Sequence, residues 1–255
     1  MKKSVLVIAI CVVMGIALLG CDNAVVKTPE NQFVDVDLHS SIQKEIDSPE
    51  WVSKIPAADK SSQLLIVAGM GLDKSTAYVS LHTKDEEGNW KQSLSTPGYI
   101  GKNGMCLDEE HKDGSDKTPI GTYHIKRNCG IAQNPGTKMP FTSVVDVTYW
   151  TGETDGTIPF NSLVNLRQYQ ELDEATSERF YDFEYEDQFC VGLDFNPEEE
   201  AGKGTKIFIK CLSADKPYTN GSVEIPEDIM RLLIMNIQED CLIVIDTMDN
   251  LGAGF

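Results

Sequence analysis

Apolar residues in the central and C-terminal parts of this 255-residue chain fall in short runs of strand-like composition, broken by Gly, Pro, Asn and Asp. The runs at 63–68 (QLLIVA), 76–83 (TAYVSLHT), 90–95, 120–125 (IGTYHI), 143–150 (SVVDVTYW), 188–195 (QFCVGLDF), 206–211 (KIFIKC) and 242–246 (LIVID) each read as a strand. Glu86-Glu87-Gly88-Asn89 lies between two of them and has the composition of a hairpin turn. Helical crossovers between the runs are lacking, so the sheet is expected to be largely antiparallel or mixed. One helix is well signalled. Pro226, Glu227 and Asp228 suit a first turn by backbone geometry and by charge at the positive end of the dipole, and Ile229, Leu232, Leu233 and Ile237 follow at helical spacing. A second, weaker helix is expected over 172–180. The pattern predicts a mainly β fold with one or two packed helices.

The N-terminus has a different pattern. Met1, Lys2 and Lys3 precede an uncharged apolar stretch, SVLVIAICVVMGIALL, which ends at Leu18-Leu19-Gly20-Cys21. A basic start, an apolar stretch below the roughly 20 residues of a membrane span, and small residues before a cleavage point describe an export signal. The Leu-Leu-Gly-Cys ending resembles the lipobox of bacterial lipoproteins, which implies a signal peptide over 1–20 and lipid on Cys21. The bulk of the chain is then extracytoplasmic and anchored to the membrane through that lipid. Residues 21–61 are polar and carry Pro29, Pro49 and Pro56, with a possible short helix at 41–46, and read as the lipidated N-terminus and a tether. One domain is expected over 62–249, long enough for a single well-formed core, with a tail at 250–255.

Composition narrows the partners. The net charge is −18, and removal of Lys2 and Lys3 with the signal takes it two units further. So acidic a surface repels nucleic acid and anionic head groups, so the expected membrane attachment rests on lipid and not on charge. Of the seven cysteines, Cys11 lies in the signal and Cys21 at its end, leaving Cys106, Cys129, Cys190, Cys211 and Cys241. An odd number cannot all pair within one chain, and the spacing does not say which would. There is no CxxC and only four histidines, so a metal site has little support, and no cofactor is expected.

Four separate stretches carry a resemblance. KTPIGTYHI at 117–125 is similar to the TPxGxY strand entry of the L,D-transpeptidase (YkuD-type) catalytic domain, and YWTGE at 149–153 to its YWSGD segment. GKGTKIFIKC at 202–211 resembles the family's GKGSxIFLHC strand, and TNGSVEIPE at 219–227 resembles TAGCVAIPE. The four occur in the family's order within about 63–246. The resemblance implies a β-sandwich-like fold and acyl transfer on peptidoglycan stem peptides. In the family a cysteine attacks an amide, forms a thioester and passes the acyl group to an amine. A histidine assists the thiol, and backbone amides at the Gly-Cys turn hold the oxyanion.

Carried across residue by residue, the family cysteine falls on Ser222 and the family histidine on Lys210, while Gly221 is kept. The oxyanion turn maps to Gly221 and Ser222, and the substrate cleft to Tyr149, Trp150, Tyr218 and Asn220. His111 and His124 flank the TPxGxY stretch and could approach the cleft, although a satisfied or exposed histidine is the simpler reading. Two outcomes fit the paired change. Catalysis is lost and the cleft binds stem peptides or a cell-wall enzyme, or Ser222 and Lys210 form a rebuilt dyad for acyl transfer or carboxypeptidase chemistry. The dyad demands a neutral lysine, hence a shift of about 3.4 units from an ordinary pKa of about 10.4, or about 4.6 kcal/mol.

Overall fold

The computed structural model describes residues 44–152, 156–173 and 175–253. The expected export signal, the lipid site at Cys21 and most of the expected tether lie outside the described residues. In chain order the strands are β1 (Ile46–Asp47), β2 (Gln63–Gly69), β3 (Thr76–Lys84), β4 (Trp90–Tyr99), β5 (Met105–Leu107), β6 (Thr118–Gly130) and β7 (Phe141–Ser143). Then follow β8 (Thr148–Trp150), β9 (Leu163–Asn165), β10 (Glu178–Arg179), β11 (Cys190–Leu193), β12 (Phe208–Cys211), β13 (Val223–Ile225) and β14 (Leu242–Thr247). The helices are α1 (Glu227–Asn236) and α2 (Met248–Leu251).

The main sheet runs β1-β4-β13-β12-β11-β6-β14-β2-β3, and β3 also pairs with β4, so the sheet curls back on itself. It is mixed: β12 with β13 and β14 with β2 are parallel, while β2–β3, β3–β4, β6–β14, β6–β11 and β11–β12 are antiparallel. The β3–β4 hairpin closes over 85–89, where Gly88 takes a positive φ of 84° and the Asp85 carboxylate accepts from the Asn89 backbone. A small second sheet orders β10-β8-β9.

Alternation along the strands separates three apolar regions. Leu65, Val67, Val191, Leu193, Ile209, Val223, Ile243 and Ile245 face an inner core shared with Met230, Leu233 and Ile234 of α1. The opposite faces of β2 and β14 bury Leu64, Ile66, Leu242 and Val244 against Val52, Ile55 and Ala57. Covered on both sides, these two strands read as unbroken apolar runs. Beyond β6, β11 and β12 a third group holds Cys129, Val144, Trp150, Phe180, Cys190 and Phe208. The start of α1 is set by Pro226, whose carbonyl accepts from Met230 N at 2.8 Å, and extended backbone at Ile237 ends it.

Three expectations need correction. Among the described residues no α-helix forms over 172–180, because its apolar ends belong to different clusters: Leu172 packs with Tyr149, Ile158 and Val164, and Phe180 with Trp150 and Phe208. Residues 178–179 instead form β10 against β8. The run 143–150 splits into β7 and β8, separated by a turn in which Thr148 N donates to Val145 O at 2.9 Å. Residues 46–59, expected in the tether, are part of the packed domain: β1 pairs with β4, and two 3-10 turns bury Val52, Ala57 and Ala58.

Candidate functional site

Three of the four stretches that carry the family resemblance line one cleft of about 550 Å³, and the fourth, 117–125, braces its turn from below. Trp150 and Gly152 line one side, Gly202, residues 204–207 and Lys210 another, and Tyr218, Thr219, Asn220, Ser222 and Glu224 a third. The TPIGTY stretch holds the turn from below. Thr118 Oγ1 donates to Gly221 O at 2.8 Å and accepts from Gly101 N at 2.8 Å. Thr219 Oγ1 in turn donates to Ser222 O at 2.6 Å and accepts from Gly221 N at 3.0 Å. Gly221 sits at φ 132°, a region nearly restricted to glycine, and a Cβ there would lie 3.1 Å from Lys117 O.

Ser222 is tied into the strand entry. Its hydroxyl donates to Lys206 O and accepts from Phe208 N, both at 3.2 Å, bridging backbone groups on either side of Ile207 at the start of β12. Lys206 itself adopts a left-handed φ of 54°, which turns the chain into that strand. One of the two amides assigned to an oxyanion hole, Gly221 N–H, is already engaged with Thr219.

Lys210 points to a different partner. Its ammonium lies 3.4 Å from Asp187 Oδ1, and it has no hydrogen bond to Ser222 among the described residues. Asp187 is wholly buried and Lys210, which meets the cleft wall, is 8% exposed, so the pair is largely withdrawn from solvent. The other Asp187 oxygen is 3.4 Å from Lys206 Nζ, and Lys206 also pairs with Glu178. Aromatic faces complete the cage: Lys206 Nζ stands 5.0 Å from the Phe180 ring centre and 4.8 Å from that of Phe183, and Lys210 Nζ 5.1 Å from Phe183.

The electrostatic balance at Lys210 runs against a catalytic base. Burial alone pulls the ammonium's pKa down, yet the opposing pull of Asp187 foremost, then of Cys190, Glu224 and Glu178, holds it above the ordinary lysine value. The group is therefore a fixed cation, whereas a rebuilt Ser-Lys dyad needs a neutral amine facing the serine. Glu224 lies beside Lys210 in the β12–β13 register and is 4% exposed. Burial raises its pKa, against the Ser213 N–H that donates to it at 3.0 Å and the nearby Lys210 charge.

Of the expected cleft residues, Trp150, Tyr218 and Asn220 line the cavity. Tyr149 does not: it is buried with Ile158, Val164 and Leu172, because neighbouring residues of β8 face opposite sides of their sheet. Trp150 is fixed by an indole N–H to Asn161 Oδ1 bond of 2.8 Å and by edge-on packing against Phe208. His111 lines the cleft wall with its ring nitrogens on Lys203 O and Lys117 O, whereas His124 is exposed and meets Asp194. The residue that sequence reasoning missed is Asp187. It sits within the polar run FEYEDQ, where nothing distinguishes the one carboxylate that becomes buried from its exposed neighbours.

No family model matches the chain, and no curated protein sequence matches it. Among solved structures it is distantly similar to L,D-transpeptidases and to a cell shape determining protein. One is the Enterococcus faecium L,D-transpeptidase carrying a cysteine-to-serine substitution, at 14% identity and a TM-score of 0.31, over 73% of this chain and 50% of that one. Another is the helical cell shape determining protein from Campylobacter jejuni, at 14% identity and a TM-score of 0.38, over 77% of this chain and 54% of that one. The chain spans about half the length of the solved structures it matches.

Proposed function

We propose that this chain is a lipid-anchored, extracytoplasmic cell-envelope protein whose L,D-transpeptidase-like domain binds peptidoglycan stem peptides without transferring them. The observation that carries this reading is convergence. Three of the four motifs line one cleft and the fourth holds its turn through Thr118, with the kept Gly221 in the positive-φ backbone that turn requires. The loss of catalysis is supported by what has become of the two substituted positions. The Ser222 hydroxyl closes a strand entry, and Lys210 is the cationic half of a buried ion pair. A serine without a facing base cannot shed its proton during attack, so the cleft retains shape and loses the nucleophile.

The test is co-sedimentation of the full-length chain with purified peptidoglycan sacculi, followed by chromatography of the released muropeptides. Retention on sacculi with an unchanged muropeptide profile is expected. Equal retention on an unrelated insoluble polymer such as chitin would remove the binding reading. New cross-links or trimmed stems that disappear in Ser222→Ala would overturn the non-catalytic reading.

A further inference from the structure

Beneath the cleft, β6 and β11 run antiparallel with Cys129 directly opposite Cys190. Both residues are completely buried and lie on the same face, within the apolar group that includes Trp150, Phe180 and Phe208. Opposed residues on antiparallel strands have Cα atoms about 4.5–5.5 Å apart, inside the roughly 4.4–6.8 Å that a disulfide spans.

The other three cysteines are placed otherwise. Lys210 is the residue opposite Cys190 on β12, so its neighbour Cys211 faces the inner core on the other side of the sheet. Its thiol is directed at Phe189 O. Cys241 precedes β14 with its thiol on Leu242 O, and Cys106 pairs in register with Pro119.

We propose that Cys129 and Cys190 form a cross-strand disulfide that ties β6 to β11 at the floor of the cleft. The inference rests on the exported location proposed above, since a reducing compartment would keep both thiols. In the reaction each thiol gives up its proton and the pair gives up two electrons as the S–S bond forms. The oxidant is a disulfide of the thiol–disulfide oxidoreductase class, or glutathione disulfide in vitro, which accepts both electrons and leaves as two thiols. Complete burial places this step during folding, before the strands close over the sulfurs. The bond also changes the cleft. Cys190 Sγ stands 3.7 Å from Asp187 Oδ1 as a donor, and oxidation removes that donor, leaving the carboxylate to Lys206 and Lys210.

The experiment refolds the full-length chain in detergent with mixed oxidised and reduced glutathione, alkylates the remaining thiols and maps the peptides by mass spectrometry. A linked Cys129–Cys190 peptide is expected, with Cys106, Cys211 and Cys241 alkylated. Dithiothreitol should then lower the urea midpoint of the wild-type chain and leave that of Cys129→Val unchanged. Should that variant not fold, Cys190→Ser serves the same comparison. Full alkylation of both thiols after oxidising refolding, or linkage of either to another cysteine, overturns the inference without touching the exported location. Linkage in glutathione together with fully reduced thiols in chain recovered from the native cell supports the pair and counts against export.

Discussion

Replacing Asp187 by Asn keeps the size of the side chain and one carbonyl-type oxygen while removing the buried charge. Lys210 then has no carboxylate within 4.0 Å among the described residues, whereas Lys206 retains Glu178. Removing one member of a buried pair and stranding the other costs about 3–5 kcal/mol. For a domain of this size that is a fall in melting temperature on the order of 10 °C. Lys210→Met should cost less, about 1–3 kcal/mol, because Asp187 keeps Lys206 and the Met chain still fills the space of the lysine stem. The double variant should be less damaging than the two costs together, with a coupling above about 1 kcal/mol.

The pH dependence follows from the raised Lys210 pKa. The pairing stabilises the fold fully below the ordinary lysine value of about 10.4 and is lost as pH rises through the higher folded value. The gap between wild type and Asp187→Asn should therefore narrow only in strongly alkaline solution. Urea unfolding followed by circular dichroism at pH 7 and above pH 10 measures all of these quantities. An Asp187→Asn cost below about 1 kcal/mol, or additive single costs, would refute the buried-pair account.

Two further outcomes are expected. His82 is fully buried between the Ser48 and Ser80 hydroxyls, each 2.8 Å from a ring nitrogen, and burial lowers its pKa to about 4. The unfolded chain then binds a proton that the folded chain refuses, so stability is complete above about pH 6.5 and falls by about 3 kcal/mol as pH drops to about 4. His82→Gln should flatten that slope in a series of urea midpoints, and an unchanged slope would sink the assignment. Gly221→Ala should cost about 1–3 kcal/mol through backbone strain and the Lys117 O contact. Gly202→Ala, at φ 78° with nothing within 4 Å of the new methyl, is the control, and an equal cost at both sites would contradict the special role of the turn.

Along the chain, the legible part was whatever depends on near neighbours. Most strand-forming runs, the 85–89 hairpin and the helix after Pro226 are set by local backbone preference and by periodicity and lie where the pattern placed them, whereas the 143–150 run splits in two. Leu172 and Phe180 misled because nine residues of helix-compatible sequence cannot reveal that their ends belong to separate clusters. Residues 46–59 misled because prolines and polar side chains mask the few apolar contacts of Val52, Ile55 and Ala57.

At the site, the resemblance read from the sequence maps the family nucleophile to Ser222 and the family histidine to Lys210, with Gly221 kept. It left open whether those two side chains serve each other. The tertiary structure brings Asp187 from a separate segment against Lys210 and turns the Ser222 hydroxyl onto the backbone of residues 206 and 208. The cysteines divide in the same way. Their number is written in the chain, but strand register and alternation set Cys129 against Cys190 and send Cys211 to the other face. Charge state and pairing depend on burial and on contacts between residues far apart in sequence, and only the folded chain brings those together.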